Sequence, residues 1–314
     1  MALSPRTRRK IERFFKDLGG SASEEGSQPR PQLCPACRTL VGAGQTRCHS
    51  CGANMRFGMA AASRSLGRLL PANSPATYSI LTVSCALFLA TLVATIRQSE
   101  FQSAGGGLFG IFDLGGIANQ VLYRFGASMP LAGLDGLPGV LQQPWRLVTA
   151  VFLHGSILHI LFNMWVLIDI GPMIEEMYGS ARLLFIYVVT GVGGYVASSA
   201  IGHFSVGGSG ALLGLIGVLL AITMGRRSAG MQMLRGSLIR WLIYIAVWGF
   251  FPGIDNWAHG GGLVTGFILG KIMADRPPSA PDEVRLAYAL GWIAALAIVA
   301  SFGMALYTAL RSGA

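Results

Sequence analysis

The chain has 314 residues, 52% of them hydrophobic and only 12% charged, with a formal net charge of +10. Soluble domains of this size carry roughly twice that charged fraction, so a wholly soluble fold is excluded. The basic excess crowds into residues 1–70 and into short loops between apolar runs. That distribution speaks against a nucleic acid partner and for orientation in a lipid bilayer.

Residues 1–33 read as a basic N-terminal segment, helical from Lys10 to Leu18, then a flexible Gly/Ser/Glu/Pro-rich linker. No apolar core follows the basic start, so no signal peptide is expected. Residues 34–52 form a cysteine-rich head. Its pairs Cys34-Pro35-Ala36-Cys37 and Cys48-His49-Ser50-Cys51 are separated by ten residues. Two such turns suit tetrahedral zinc, and the patch resembles a zinc ribbon. The expectation is structural zinc on Cys34, Cys37, Cys48 and Cys51, with redox chemistry as the rival and His49 as a bystander. Whether the head binds an unidentified partner, regulates or solubilises is not readable. Residues 53–75 are a second basic linker.

Apolar runs follow at about 77–96, 147–170, 181–202, 209–225, 237–252, 257–274 and 286–310. They predict seven spans, the fourth and sixth short against the roughly 20 residues that cross a hydrocarbon core. Placing the head in the cytoplasm also puts Arg182, Arg226, Arg227, Arg235, Arg240, Lys271, Arg276 and Arg285 inside. Only Arg97, Arg124, Arg146 and Arg311 then lie outside, as the positive-inside rule requires. The external loop 97–146 is unusually apolar, and reads either as interfacial amphipathic segments or as a loop packed on the bundle. Cys85, mid-span, serves as a small apolar residue.

Polar groups inside spans are costly and each needs a reason. His154, His159 and Asn163 fall near the outer end of the second run, Ser209 opens the fourth and His259 opens the sixth. The fourth and sixth spans run parallel, so Ser209 and His259 share one depth. A serine hydroxyl needs a neighbouring base before it can attack an amide, and histidine titrates in the right range. The N-terminus of the helix below Ser209 offers N–H groups to a developing oxyanion. The turn Gly207-Gly208-Ser209-Gly210 lets a substrate backbone approach closely, although a serine-capped glycine turn is common without catalysis. His154, His159 and Asn163 are placed on one helix, with His159 and Asn163 on one face. Oxyanion donation, interhelical hydrogen bonding and, without an HExxH arrangement, metal binding compete as their purpose. Gly210, Gly214 and Gly217 in the fourth span, and Gly262, Gly266 and Gly270 in the sixth, predict close helix approach.

These pieces together resemble a rhomboid intramembrane protease from about residue 76 to residue 275. The matching motifs are Trp145-Arg146, His154-x4-His159-x3-Asn163, Gly171-x3-Glu175 with Tyr178-Gly179, Gly207–Gly210, and Ala258-His259-x-Gly261-Gly262-x3-Gly266. The resemblance implies an all-α polytopic membrane protein: a six-helix bundle over 76–275, preceded by the zinc ribbon. Residues 276–314 then supply a cytoplasmic loop and a seventh transmembrane helix. It implies Ser209 as nucleophile and His259 as base of a dyad, no catalytic cofactor, and an oxyanion hole of His159, Asn163 and the Ser209 N–H. It gives His154 a structural or water-holding role, and Trp145, Arg146 and Glu175 a role in folding the loop and bundle. Asp255 receives no triad role. Many relatives carry an aromatic four residues after the serine; here it is Leu213, leaving orientation of His259 to another residue such as Trp257. The implied substrates are transmembrane proteins, cleaved near the outer face. A catalytically silent protein that binds membrane clients is the alternative, and a transporter is disfavoured by the scarcity of intramembrane acids. No organelle-targeting presequence is evident, so a bacterial plasma membrane is expected.

Overall fold

The computed structural model describes residues 32–34, 39–43, 45–50, 74–97, 116–224, 226–249, 253–273 and 275–311. Among them, helices dominate. The long ones are α1 (Pro75–Arg97), α4 (Ile157–Tyr178), α5 (Ser180–Ala200), α6 (Ser209–Thr223), α7 (Ala229–Trp248), α8 (Asn256–Ile272) and α9 (Pro281–Arg311). Short helices α2 (Asn119–Phe125) and α3 (Arg146–Thr149) lie between α1 and α4. Among the described residues, α1, α4, α5 and α9 are long and apolar enough to cross a membrane, and α6 is a shorter apolar helix.

The second apolar run does not form one helix. Residues 146–152 make α3 and a 3-10 turn, and α4 starts only at Ile157. Ser156 causes the break: its extended backbone and its side chain, accepting from the His159 N–H, cap α4. His154 therefore lies before the helix that carries His159 and Asn163, not on it. The fifth run also starts earlier than its hydropathy suggests, because Ser228 caps α7 through the Met231 N–H.

The glycine stripes act as expected. A Cβ on Gly262 or Gly266 would collide with the carbonyl oxygen of Gly210 or Gly214, and one on Gly270 would lie 2.8 Å from the Val218 oxygen. α6 and α8 therefore meet backbone to backbone, as small-residue stripes permit. Every residue of α6 from Gly210 to Leu219 is buried.

Two charged residues hold the periphery. The Glu175 carboxylate accepts from the N–H groups of Ala76 and Thr77 (2.8 and 2.9 Å) and from the Thr77 hydroxyl (2.7 Å). It caps the start of α1 from across the bundle, where helix amides lack partners. Buried Arg146 donates to the Tyr123 and Ala127 carbonyls (2.7 and 3.1 Å) and lies 4.0 Å from the Tyr123 ring centre. With Trp145, whose ring is 4.7 Å from the same guanidinium, it fastens the segment between α1 and α4. That segment also holds a hairpin of β3 (Gly133–Leu134) and β4 (Leu137–Pro138), turned by Asp135 and Gly136 at positive φ.

In the head, β1 (Gln32–Leu33) pairs antiparallel with β2 (Leu40–Val41). Cys34 and Cys48 are buried together with Val41 against Val284 of α9. Cys37 and Cys51 lie outside the described residues, as does the expected helix from Lys10 to Leu18.

Candidate active site

Ser209 is the first residue of α6, with Gly208 in the cap position before it. The turn requires its glycines. Gly207 has φ +131, and a Cβ there would sit 2.6 Å from Nε2 of His159. A Cβ on Gly208 would sit 2.5 Å from the Tyr187 hydroxyl. The Gly207 N–H donates to the Ala150 carbonyl at 3.0 Å, fixing the turn to the segment before α4.

His259 lies in the first turn of α8, and its Nε2 is 2.8 Å from Ser209 Oγ. With the ring proton on Nδ1, Nε2 accepts from the serine hydroxyl, the arrangement a general base needs. Nδ1 is buried, with no hydrogen-bond partner among the described residues. Asp255, one turn away, is occupied elsewhere. Its carboxylate caps α8 through the Trp257 and Ala258 N–H groups (3.1 and 3.0 Å) and accepts from the Ser198 hydroxyl. His203 Nδ1 is 3.3 Å from the same carboxylate. Burial pushes the Asp255 carboxyl up, but hydrogen bonds from Ser198, Ala258, Ser205 and His203 outweigh it and hold the group below the usual carboxylate range.

His159 lies against the serine turn. The Gly155 N–H points at its Nδ1 at 3.5 Å, which leaves Nε2–H facing Gly207. Asn163 is buried one turn on, with Nδ2 donating to the His159 carbonyl at 2.9 Å and Oδ1 without a partner among the described residues. One amide hydrogen of Asn163 is thus committed to its own helix. His154 is fully buried. Its Nδ1 is 3.2 Å from the Phe152 carbonyl and its ring stands edge-on to His159, 5.1 Å between centres. Leu213 is buried and Trp257 is 53% exposed, so Trp257 is poorly placed to press on the base.

The chemistry of this arrangement is that of an activated hydroxyl beside imidazole and backbone donors at a helix start. Sequence reasoning passed over Tyr195, Ser198 and His203. Asp255 had a visible signal, an acidic residue just before an apolar helix. His203 was an ionisable residue stranded between two apolar runs.

The Rhomboid domain family model matches residues 141–276, which include all of these side chains. The chain is 39% identical over 149 residues to RHOMBOID-like protein 6, mitochondrial, of Arabidopsis thaliana, covering 46% of this chain and 48% of that one. It is 38% identical over 162 residues to Rhomboid protease GluP of Bacillus subtilis, covering 51% of this chain and 31% of that one. It is 32% identical over 217 residues to Rhomboid-like protease 2 of Toxoplasma gondii, covering 65% of this chain and 68% of that one. The chain spans less than half the length of the first two of these relatives. They come from a plant, a bacterium and a parasite, and so do not single out the bacterial membrane expected from the sequence. Together with the apolar helices, these matches make it an integral membrane protein. With more than two thirds of the Toxoplasma relative aligned and the domain match lying over the helices that carry the serine and the histidine, the chain belongs to the rhomboid family.

Proposed function

We propose that the protein is an intramembrane serine endopeptidase that cleaves transmembrane segments of other membrane proteins. The observation that carries this reading is the 2.8 Å approach of Ser209 Oγ to His259 Nε2 at the starts of two adjoining helices. Ser209 attacks the scissile carbonyl while His259 takes its proton. His259 then returns that proton to the leaving amine, forming an acyl-enzyme that water hydrolyses by the reverse proton path. The oxyanion faces the Ser209 N–H at the start of α6, His159 Nε2–H and the second amide hydrogen of Asn163. His154 braces His159 from behind. The dyad works without an acid, since Asp255 is engaged in capping. Orientation follows the positive-inside rule, with the head cytoplasmic and the dyad near the outer face. A six-helix core with α9 as the added helix accommodates the resemblance.

A single-span reporter in liposomes tests the reading. Wild type cleaves it, and Ser209→Ala and His259→Ala do not. Equal cleavage by Ser209→Ala removes serine chemistry from the proposal. Intact folded protein that neither cleaves nor reacts with a fluorophosphonate is a client-binding relative instead.

The head is proposed to hold one structural zinc on Cys34, Cys37, Cys48 and Cys51. The fit rests on Cys34 and Cys48, whose thiols are buried in one small cluster that holds little apolar bulk of its own. Metal analysis of purified protein should find about one zinc per chain, by the four-thiolate stoichiometry, and none in Cys34→Ser.

A further inference from the structure

Helix α5 carries no residue of the proposed dyad, yet its outer end touches the support of both members. On one side is Tyr195, whose buried hydroxyl donates toward the Gly207 carbonyl at 2.8 Å and lies 3.3 Å from the Ala150 carbonyl. Residues Gly207 and Ala150 are already joined by the Gly207 N–H, so Tyr195 closes a knot two residues before Ser209. On the other side is Ser198, three residues further along α5, whose buried hydroxyl donates to the Asp255 carboxylate. Asp255 in turn holds the first turn of α8: its side chain accepts from the Ala258 N–H and its carbonyl from the His259 N–H at 3.1 Å. The backbone just before Tyr195 is pressed against α8. A Cβ on Gly194 would lie 2.5 Å from the Ala258 carbonyl, and one on Gly261 would lie 2.8 Å from the Gly193 carbonyl.

We infer that α5 sets the distance between Ser209 and His259, with Tyr195 and Ser198 as positioning residues for the proposed reaction. The inference rests on the peptidase reading and adds two residues to it. The physical reasoning is local. The glycine seam between α6 and α8 fixes the spacing of the helix axes, but not the rotation of the serine turn or the height of the first turn of α8. A turn that tolerates only glycine is soft, and a helix start is the part of a helix with fewest internal bonds. Both are held by hydroxyls from one rigid helix, so an error in either moves the nucleophile against its base. Ser199 extends the same end outward. Its hydroxyl is 3.0 Å from that of Ser128, and its carbonyl accepts from Leu131.

The test uses the full chain in liposomes with a single-span reporter, and compares Tyr195→Phe, Ser198→Ala and Ser198→Thr with wild type. Expected for Tyr195→Phe and Ser198→Ala is a roughly tenfold fall in kcat with KM retained, as when a near-attack geometry loosens. The rate of fluorophosphonate labelling per folded molecule should fall in parallel, with the thermal midpoint in detergent nearly unchanged. Ser198→Thr, which keeps the hydroxyl, restores both rates. The inference is overturned when both deletion variants keep wild-type kcat and labelling rates, or when threonine restores nothing. Should Tyr195→Phe fail to fold, the serine pair alone decides by the same readouts. Failure of the underlying peptidase reading is seen separately, as Ser209→Ala cleaving like wild type.

Discussion

The seam between α6 and α8 and the flank formed by α7 show two opposite ways of holding a helix. At the seam, glycines remove the side chains and bring carbonyl oxygens against the opposite backbone, so position is fixed by hard contact. Along α7 many large side chains turn outward: Met233, Ile239, Ile243, Tyr244 and Val247 are all exposed, Leu234, Leu242 and Ile245 are only partly buried against the core, and Leu238 is its one fully buried apolar side chain among the described residues. One link from α7 to α4 is an edge-on pair of rings, Trp165 and Trp241, 5.8 Å between centres. Ser209 and His259, 2.8 Å apart, sit at the starts of the two helices joined by the first kind of contact. The helix beside them is held by the second, which gives way more easily.

The sharpest way to break this contrast is to put a side chain into the seam. Gly266→Leu drives a branched chain into the Gly214 carbonyl, where backbone cannot retreat. We expect loss of both folded protein and proteolysis, seen in the detergent unfolding profile; a folded, active variant would show the seam to be loose. On the α7 side, Leu238→Ala should cost about 2 kcal/mol, the low end for a buried leucine because the neighbouring face is open. Fluorophosphonate labelling of Ser209 should survive it. Tyr244→Ala, at a side chain 58% exposed, should change stability by less than about 0.5 kcal/mol. The smallest effect concerns acid. The Asp255 carboxyl is held below its ordinary value in the folded protein, so its stabilising contribution is complete above about pH 4 and fades as pH falls through the folded value. The thermal midpoint should drop on that acidification, and by less in Asp255→Asn; an equal drop in both would remove Asp255 from the account.

The same contrast explains what could be read in the residues beforehand. Five of the seven long helices follow from apolar runs to within about five positions, because hydropathy acts locally; α4 and α7 start eight or more positions from their runs, where Ser156 and Ser228 cap them. The glycine stripes and the pairing of Ser209 with His259 were legible because parallel spans put helix starts at one depth. The start of α4 was not, since Ser156 ends an apolar run through a single cap that hydropathy ignores. Nor were the partners of Glu175, Tyr195 and Ser198, because a carboxylate or hydroxyl names no particular amide or carbonyl until the fold is built.

Glu175 carries a consequence for biogenesis. The amides it caps belong to Ala76 and Thr77, and it follows Thr77 by 98 residues. During synthesis α1 therefore enters the bilayer before its cap exists. Those amides rely on interfacial water until α4 is complete and Glu175 swings into place. The capping of α1 is thus a late event, and ribosome-bound chains stalled before residue 175 should leave the start of α1 without its carboxylate cap.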